Sequence, residues 1–82
     1  MATNYSAVTT ATNENIVLGI HRKGTSKNAI ATKAGIPIST FTRKLNNTGD
    51  FTLRELGQIA EALDLDLADI LPGELISAKA AA

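Results

Sequence analysis

The stretch 26–45, SKNAIATKAGIPISTFTRKL, constrains the chain most, because it makes two short helices meet across a tight turn. Ser26 is suited to cap the first helix by accepting a hydrogen bond from a backbone amide one turn on. Ile30 and Ala34 are four apart and share one face. Ala31 is small enough for two helices to cross closely over it. Gly35 takes the left-handed conformation without steric cost and ends the first helix. Ile36 is an apolar plug beneath the turn. Pro37, with its φ pre-set and no amide hydrogen, suits the start of the next helix. On that second helix Phe41 and Leu45 point inward, and the opposite, wet face carries Ile38, Ser39, Thr42 and Arg43.

Such an arrangement is a helix-turn-helix, whose second helix enters the major groove of DNA in proteins that use it to read sequence. The stretch resembles the helix-turn-helix of the phage Cro and C1 repressor family, also called the Xre family. The resemblance rests on Ile30-Ala31, on Gly35 four residues after that alanine, on Ile36, and on Ser39-Thr40-Phe41 opening the second helix. The closing pattern FTLRELGQIAEALDLDLADIL also looks like the family's last two helices, so the correspondence runs from about residue 12 to residue 71. One position departs. The family has an apolar residue three after Phe41, where this chain has Lys44, and Leu45 is expected to take over that packing. The resemblance implies an all-α fold: a compact five-helix domain of the lambda-repressor-like DNA-binding type, with helices 2 and 3 forming the helix-turn-helix.

Eighty-two residues make one domain. A chain this small buries only about 60% of its unfolded surface, so most of its Leu, Ile, Val and Phe are needed in one core. With no cysteine and one histidine, neither a disulfide nor a metal site is expected. No stretch approaches the ~20 apolar residues of a membrane span, and the N-terminus lacks the pattern of a secretory signal. A cytoplasmic, nucleoid-associated protein of a bacterial cell is the expectation.

The net charge is zero, which by itself argues against a DNA-binding protein. The distribution argues otherwise. Residues 21–44 hold six Lys or Arg and no acid, whereas residues 50–74 hold seven acids and one Arg. The basic block coincides with the helix-turn-helix, which favours a DNA-facing side over an ordinary solvated charge run.

Taken in order, residues 1–11 are uncharged, rich in Thr, Ala and Ser, and show no period. They read as a flexible N-terminal arm, with Tyr5 and Val8 able to dock on the domain or a partner subunit. Helix 1 is expected over 13–23, with Thr12 as its N-cap and Glu14 favouring the dipole in the first turn. Ile16, Val17 and Ile20 are its apolar stripe. His21, Arg22 and Lys23 at its C-terminal end have two readings: compensation of the helix dipole, or phosphate contact by the two basic residues. Helices 2 and 3 are expected over 27–34 and 38–46, and 46–50 is a loop by composition. Helix 4 has the clearest start: Thr52 and Glu55 form a capping box, Phe51 and Leu56 a hydrophobic staple. Leu53, Leu56, Ile59, Ala60 and Leu63 form its stripe. Arg54 can reach a phosphate or pair with Glu55 or Asp50. Helix 5 is expected over 67–71, capped by Asp66 and stopped by Pro72 and Gly73, with Leu65, Leu67, Ile70 and Leu71 closing the core or, for one or two of them, left over for a dimer contact. The domain then spans 12–73 and residues 74–82, with Leu75 and Ile76, form a tail.

No catalytic constellation is present. The single histidine has no triad partner, and neither GxxxxGK[ST] nor GxGxxG occurs. An enzyme is not expected, nor is any cofactor. The expected role is a sequence-specific regulator of transcription, Cro-like or of the immunity-repressor type, occupying an operator in double-stranded DNA and excluding RNA polymerase. Base reading falls to Ile38, Ser39, Thr42 and Arg43. Ile38 suits a thymine methyl, and Arg43 suits guanine O6 and N7 or, alternatively, a phosphate. Phosphate contact falls to Arg22, Lys23, Lys27, Thr40 and Lys44, and to Asn46, Asn47 and Thr48 in the loop. Asn46, Asn47 and Thr48 equally suit an ordinary turn. A homodimer through helix 5 and the C-terminal tail is one stoichiometry, and a monomer on an asymmetric site the other. Two further classes stay open: an antitoxin that clamps a toxin with its arm or tail, and a protein-protein adaptor. One domain of a longer repressor is also compatible with the sequence.

Overall fold

A computed structural model describes residues 5–72, as five helices and their connections with no strand among the described residues. They are α1 (Tyr5–Lys23), α2 (Lys27–Ala34), α3 (Ile38–Leu45), α4 (Leu53–Ala62) and α5 (Leu67–Ile70). The all-helical architecture read from the sequence is the one found. Leu75 and Ile76, expected in the tail, lie outside the described residues.

Every helix contributes to one core. Ile16 and Ile20 come from α1, Ile30 with Ala31 and Ala34 from α2, Phe41 and Leu45 from α3, Ile59 with Ala60 and Ala62 from α4, and Ile70 from α5. Phe41 is fully buried and stacks at a tilt of 56° on Phe51, with ring centroids 5.7 Å apart. Each fully buried Ile or Phe contributes about 1.5–3 kcal/mol, so these few residues carry most of the hydrophobic stabilisation. α2 packs chiefly on α4, and both bring buried alanines to the core, which lets helix backbones approach closely. A similar economy explains Gly19 inside α1, where a Cβ would lie 3.2 Å from a Leu63 methyl.

Four helices stop by the same device. After α1, α2, α3 and α4 a residue with positive φ turns the chain: Gly24, Gly35, Asn47 and Asp64. In each case the next amide reaches back to a carbonyl in the last turn, as Ile36 N–H does to Ala31 at 2.9 Å and Thr48 N–H to Arg43 at 3.0 Å. This is the Schellman closure that satisfies the orphan carbonyls of a helix end. Asn and Asp tolerate the left-handed region better than other side chains do.

Helix 1 starts earlier than expected. Residues 5–11, read as part of an arm, are helical, and Thr12 is not a cap. It lies inside α1, with its hydroxyl donating to the Val8 carbonyl at 2.8 Å. Val8, Thr9 and Ala11 are only partly buried and the next, buried positions are the polar Thr12 and Asn13, so the apolar period is missing although the helix is present. Val17 leaves the stripe and is 42% exposed, and Leu53 at the first position of α4 is 68% exposed. Leu65 is also exposed rather than closing the core. The capping box of α4 is formed as expected: the Thr52 hydroxyl accepts from Glu55 N–H at 3.1 Å, and the Glu55 carboxylate from Thr52 N–H at 2.7 Å.

Candidate nucleic-acid interface

α3 is sharply two-sided. Phe41 and Leu45 are buried, while Ile38, Ser39, Thr42 and Arg43 are exposed on the other side. The turn before it holds that orientation. Ser26 accepts from Ala29 N–H at 3.1 Å and starts α2, Gly35 closes α2 at φ 75°, and Pro37 passes the chain into α3. Ile36 is buried beneath. The result is an exposed strip of one aliphatic, two hydroxyl and one guanidinium side chain on a short, rigidly seated helix. Thr40 is half-buried beside it.

Arg43 is not idle in this structure. Its Nη1 donates to the Thr48 carbonyl at 2.9 Å, so the guanidinium lies along the α3–α4 connection. Gly49 makes room for it: at φ 121°, a Cβ there would stand 3.0 Å from that nitrogen. A guanidinium has five N–H donors, so the remaining ones are available to a ligand.

Lys44 turns inward. Its ammonium pairs with Glu55 at 2.8 Å, with both side chains less than a fifth exposed. Burial acts to raise the Glu55 pKa, but the Lys44 ammonium and the hydrogen bonds from Thr52 outweigh it and hold the carboxyl below its usual value. Leu45 packs in the core, as the departure from the family pattern implied.

The other basic residues divide. Lys27, the first residue of α2, is exposed on the helix-turn-helix. Arg22 and Lys23 line a groove between α1 and the α4–α5 junction, beside Leu65 and Asp69. Lys23 pairs with Asp64. That pair and the nearby charge of Lys33 lower the Asp64 pKa. The basic and acidic blocks are therefore not simply opposed faces, since two acids reach across to two lysines. Among the described residues Arg22, Lys27 and Arg43 carry no ion pair.

Asn46, Asn47 and Thr48 are exposed in the connection after α3. Two residues of α1 hold this loop, and the sequence reading gave them no such role. Asn13, only 4% exposed, donates through Nδ2 to the Lys44 carbonyl at 3.1 Å and to Asn47 Oδ1 at 2.8 Å. The Thr9 hydroxyl donates to Asp50 at 3.3 Å. The signal available in sequence was the spacing: Thr9, Asn13, Ile16 and Ile20 lie on one helical stripe.

Among the described residues no group of three or more His, Cys, Asp or Glu is arranged to hold a metal ion, and no helix is long and apolar enough to cross a membrane. Neither a curated protein nor a solved structure matches the chain. Residues 19–78 match the model of the Cro/C1-type HTH DNA-binding domain, a span that opens inside α1 and takes in both helices of the helix-turn-helix. With that match over most of its length, the chain belongs to the Cro/C1-type helix-turn-helix DNA-binding domain family.

Proposed function

We propose that the protein is a sequence-specific regulator of transcription, of the Cro or immunity-repressor type, which occupies an operator in duplex DNA and so excludes RNA polymerase. The observation that carries this reading is the exposed strip Ile38, Ser39, Thr42 and Arg43 on a helix seated by Phe41 and Leu45, in a chain of a DNA-binding family. Ser39 and Thr42 donate or accept at base edges, and Ile38 packs on a thymine methyl. Arg43 either grips a guanine or, remaining on Thr48, holds a phosphate. Lys27, Thr40, Asn46, Asn47 and Thr48 position the helix through the backbone. Lys44 stays with Glu55 and serves first to seat α3, and Arg22 and Lys23 add phosphate contacts at the edge of the surface. The site works in the cytoplasm, on nucleoid DNA, without a cofactor. A homodimer through α5 and the C-terminal tail, with Leu65 exposed just before α5, places two reading helices on half-sites about 34–36 Å apart, and a monomer on an asymmetric site is the other stoichiometry.

Selection from a random duplex pool tests this. One enriched sequence is expected, with Ser39→Ala and Thr42→Ala each relaxing preference at particular base pairs. A two-fold symmetric winner indicates the dimer, and an asymmetric one the monomer. Absence of any enriched sequence overturns the reading.

A further inference from the structure

The first half of α1 lies outside the family match, which begins at Gly19, yet it makes three long-range contacts, one to the last turn of α3 and two to the chain between α3 and α4. Asn13 bonds the Lys44 carbonyl and the Asn47 side chain, and Thr9 bonds Asp50. We propose that this segment is a splint for the α3–α4 loop, and that Asn13 is a positioning residue for the loop's grip on the DNA backbone.

The physical case starts from cost. A buried amide side chain is retained only where its polar atoms are satisfied, and Asn is a poor residue for a helix interior. Asn13 is both buried and inside α1. What it gains there lies on other elements, 31 and 34 residues on.

The loop needs such support. Asn47 sits at φ 64° and is exposed, as are its neighbours through residue 50. Its backbone is tied locally to the end of α3, through Asn47 N–H to Lys44 and Thr48 N–H to Arg43. Asn13 bonds the same Lys44 carbonyl, and so clamps the closure of α3 and the left-handed residue together. Arg43 lies on that loop as well, on the Thr48 carbonyl. A fixed loop presents its amides and Arg43 in one arrangement, whereas a loose loop must be ordered when DNA binds, at the expense of affinity.

This inference rests on the proposed DNA reading, so its test has one arm that needs no DNA. In the free protein, Asn13→Ala is expected to speed amide hydrogen exchange at Asn47 and Thr48 about tenfold relative to core amides such as Ile59. With the selected duplex, Asn13→Ala is expected to weaken binding by about two- to tenfold at every sequence alike, leaving base preference unchanged. Asn47→Gly provides a second route, because glycine accepts the positive φ and leaves the core untouched. Because Asn47→Gly leaves the Asn13–Lys44 bond in place, the double variant is expected to lose more than Asn47→Gly alone but less than the sum of the two single variants. Exchange at Asn47 and Thr48 that only tracks the core in Asn13→Ala overturns the splint. So do fully additive losses in the double variant, or unchanged duplex affinity in a folded Asn13→Ala protein. Failure of the wild type to bind any duplex overturns the proposed function, while the exchange arm still decides whether the splint exists.

Discussion

The Lys44 ammonium and the Glu55 carboxylate meet at 2.8 Å, and the same Glu55 oxygen accepts the Thr52 amide at 2.7 Å. One oxygen thus joins the end of α3 to the start of α4. Glu55→Gln keeps an acceptor for Thr52 but leaves a poorly exposed ammonium without its counter-charge. A loss of about 1 kcal/mol is expected. Glu55→Ala removes the cap as well and is expected to cost about 2–3 kcal/mol. Urea or thermal unfolding of the two variants measures the difference. Equal stability of both with the wild type contradicts the link.

Acid sensitivity follows from this pair and from the Lys23–Asp64 pair. The Glu55 and Asp64 carboxyls are held below their ordinary values of 4.5 and 3.8. A depressed folded-state pKa contributes stability that is present above the unfolded value and lost as pH falls through the folded one. Stability from this source is therefore flat from neutrality to about pH 5 and declines below it. Lys44→Met is expected to flatten that decline. The Lys23–Asp64 pair is largely exposed, so its share weakens with added salt. Urea midpoints at a series of pH values check both.

The helix closures rank substitutions at Gly35. At φ 75° an alanine meets the left-handed penalty, about 1–2 kcal/mol. Asparagine already serves the same closure at Asn47, so Gly35→Asn is expected to cost less than Gly35→Ala. Thermal melts of the two variants give the order, and the reverse order contradicts the common role.

Gly49→Ala strains a backbone at φ 121° and places a Cβ 3.0 Å from the Arg43 nitrogen. Arg43 is expected to leave Thr48. Base preference measured by selection then changes at the position Arg43 governs, while Arg43→Ala abolishes preference there. If Arg43→Ala instead weakens all sequences evenly and lowers the salt slope by about one phosphate contact, Arg43 is a phosphate ligand.

The helix-turn-helix was legible because its signals are local. Ser26, Gly35, Pro37 and the pair Phe41 and Leu45 each fix one feature of backbone or face, and Thr52 and Glu55 announce α4 in the same way. The start of α1 was not legible, because its buried positions, Thr12 and Asn13, are polar, and so is the half-buried Thr9. Polar residues facing a neighbouring loop look like a surface until the loop is placed. Charge was half legible. The blocks were visible, but the pairing of Lys44 with Glu55 and of Lys23 with Asp64 depends on which helix ends meet. Val17 lies at the edge of the α1 stripe and Leu65 just before α5, and both are exposed, since a small domain does not bury every apolar side chain.

The most direct measurement is an amide NMR titration of the labelled protein with the selected duplex. The largest shift changes are expected at Ile38, Ser39, Thr42 and Arg43, with a second set at residues 46–48 and Lys27, and little change at Val17 or Leu65. Changes centred on Val17 or Leu65, or none at low salt, contradict a reading role for α3.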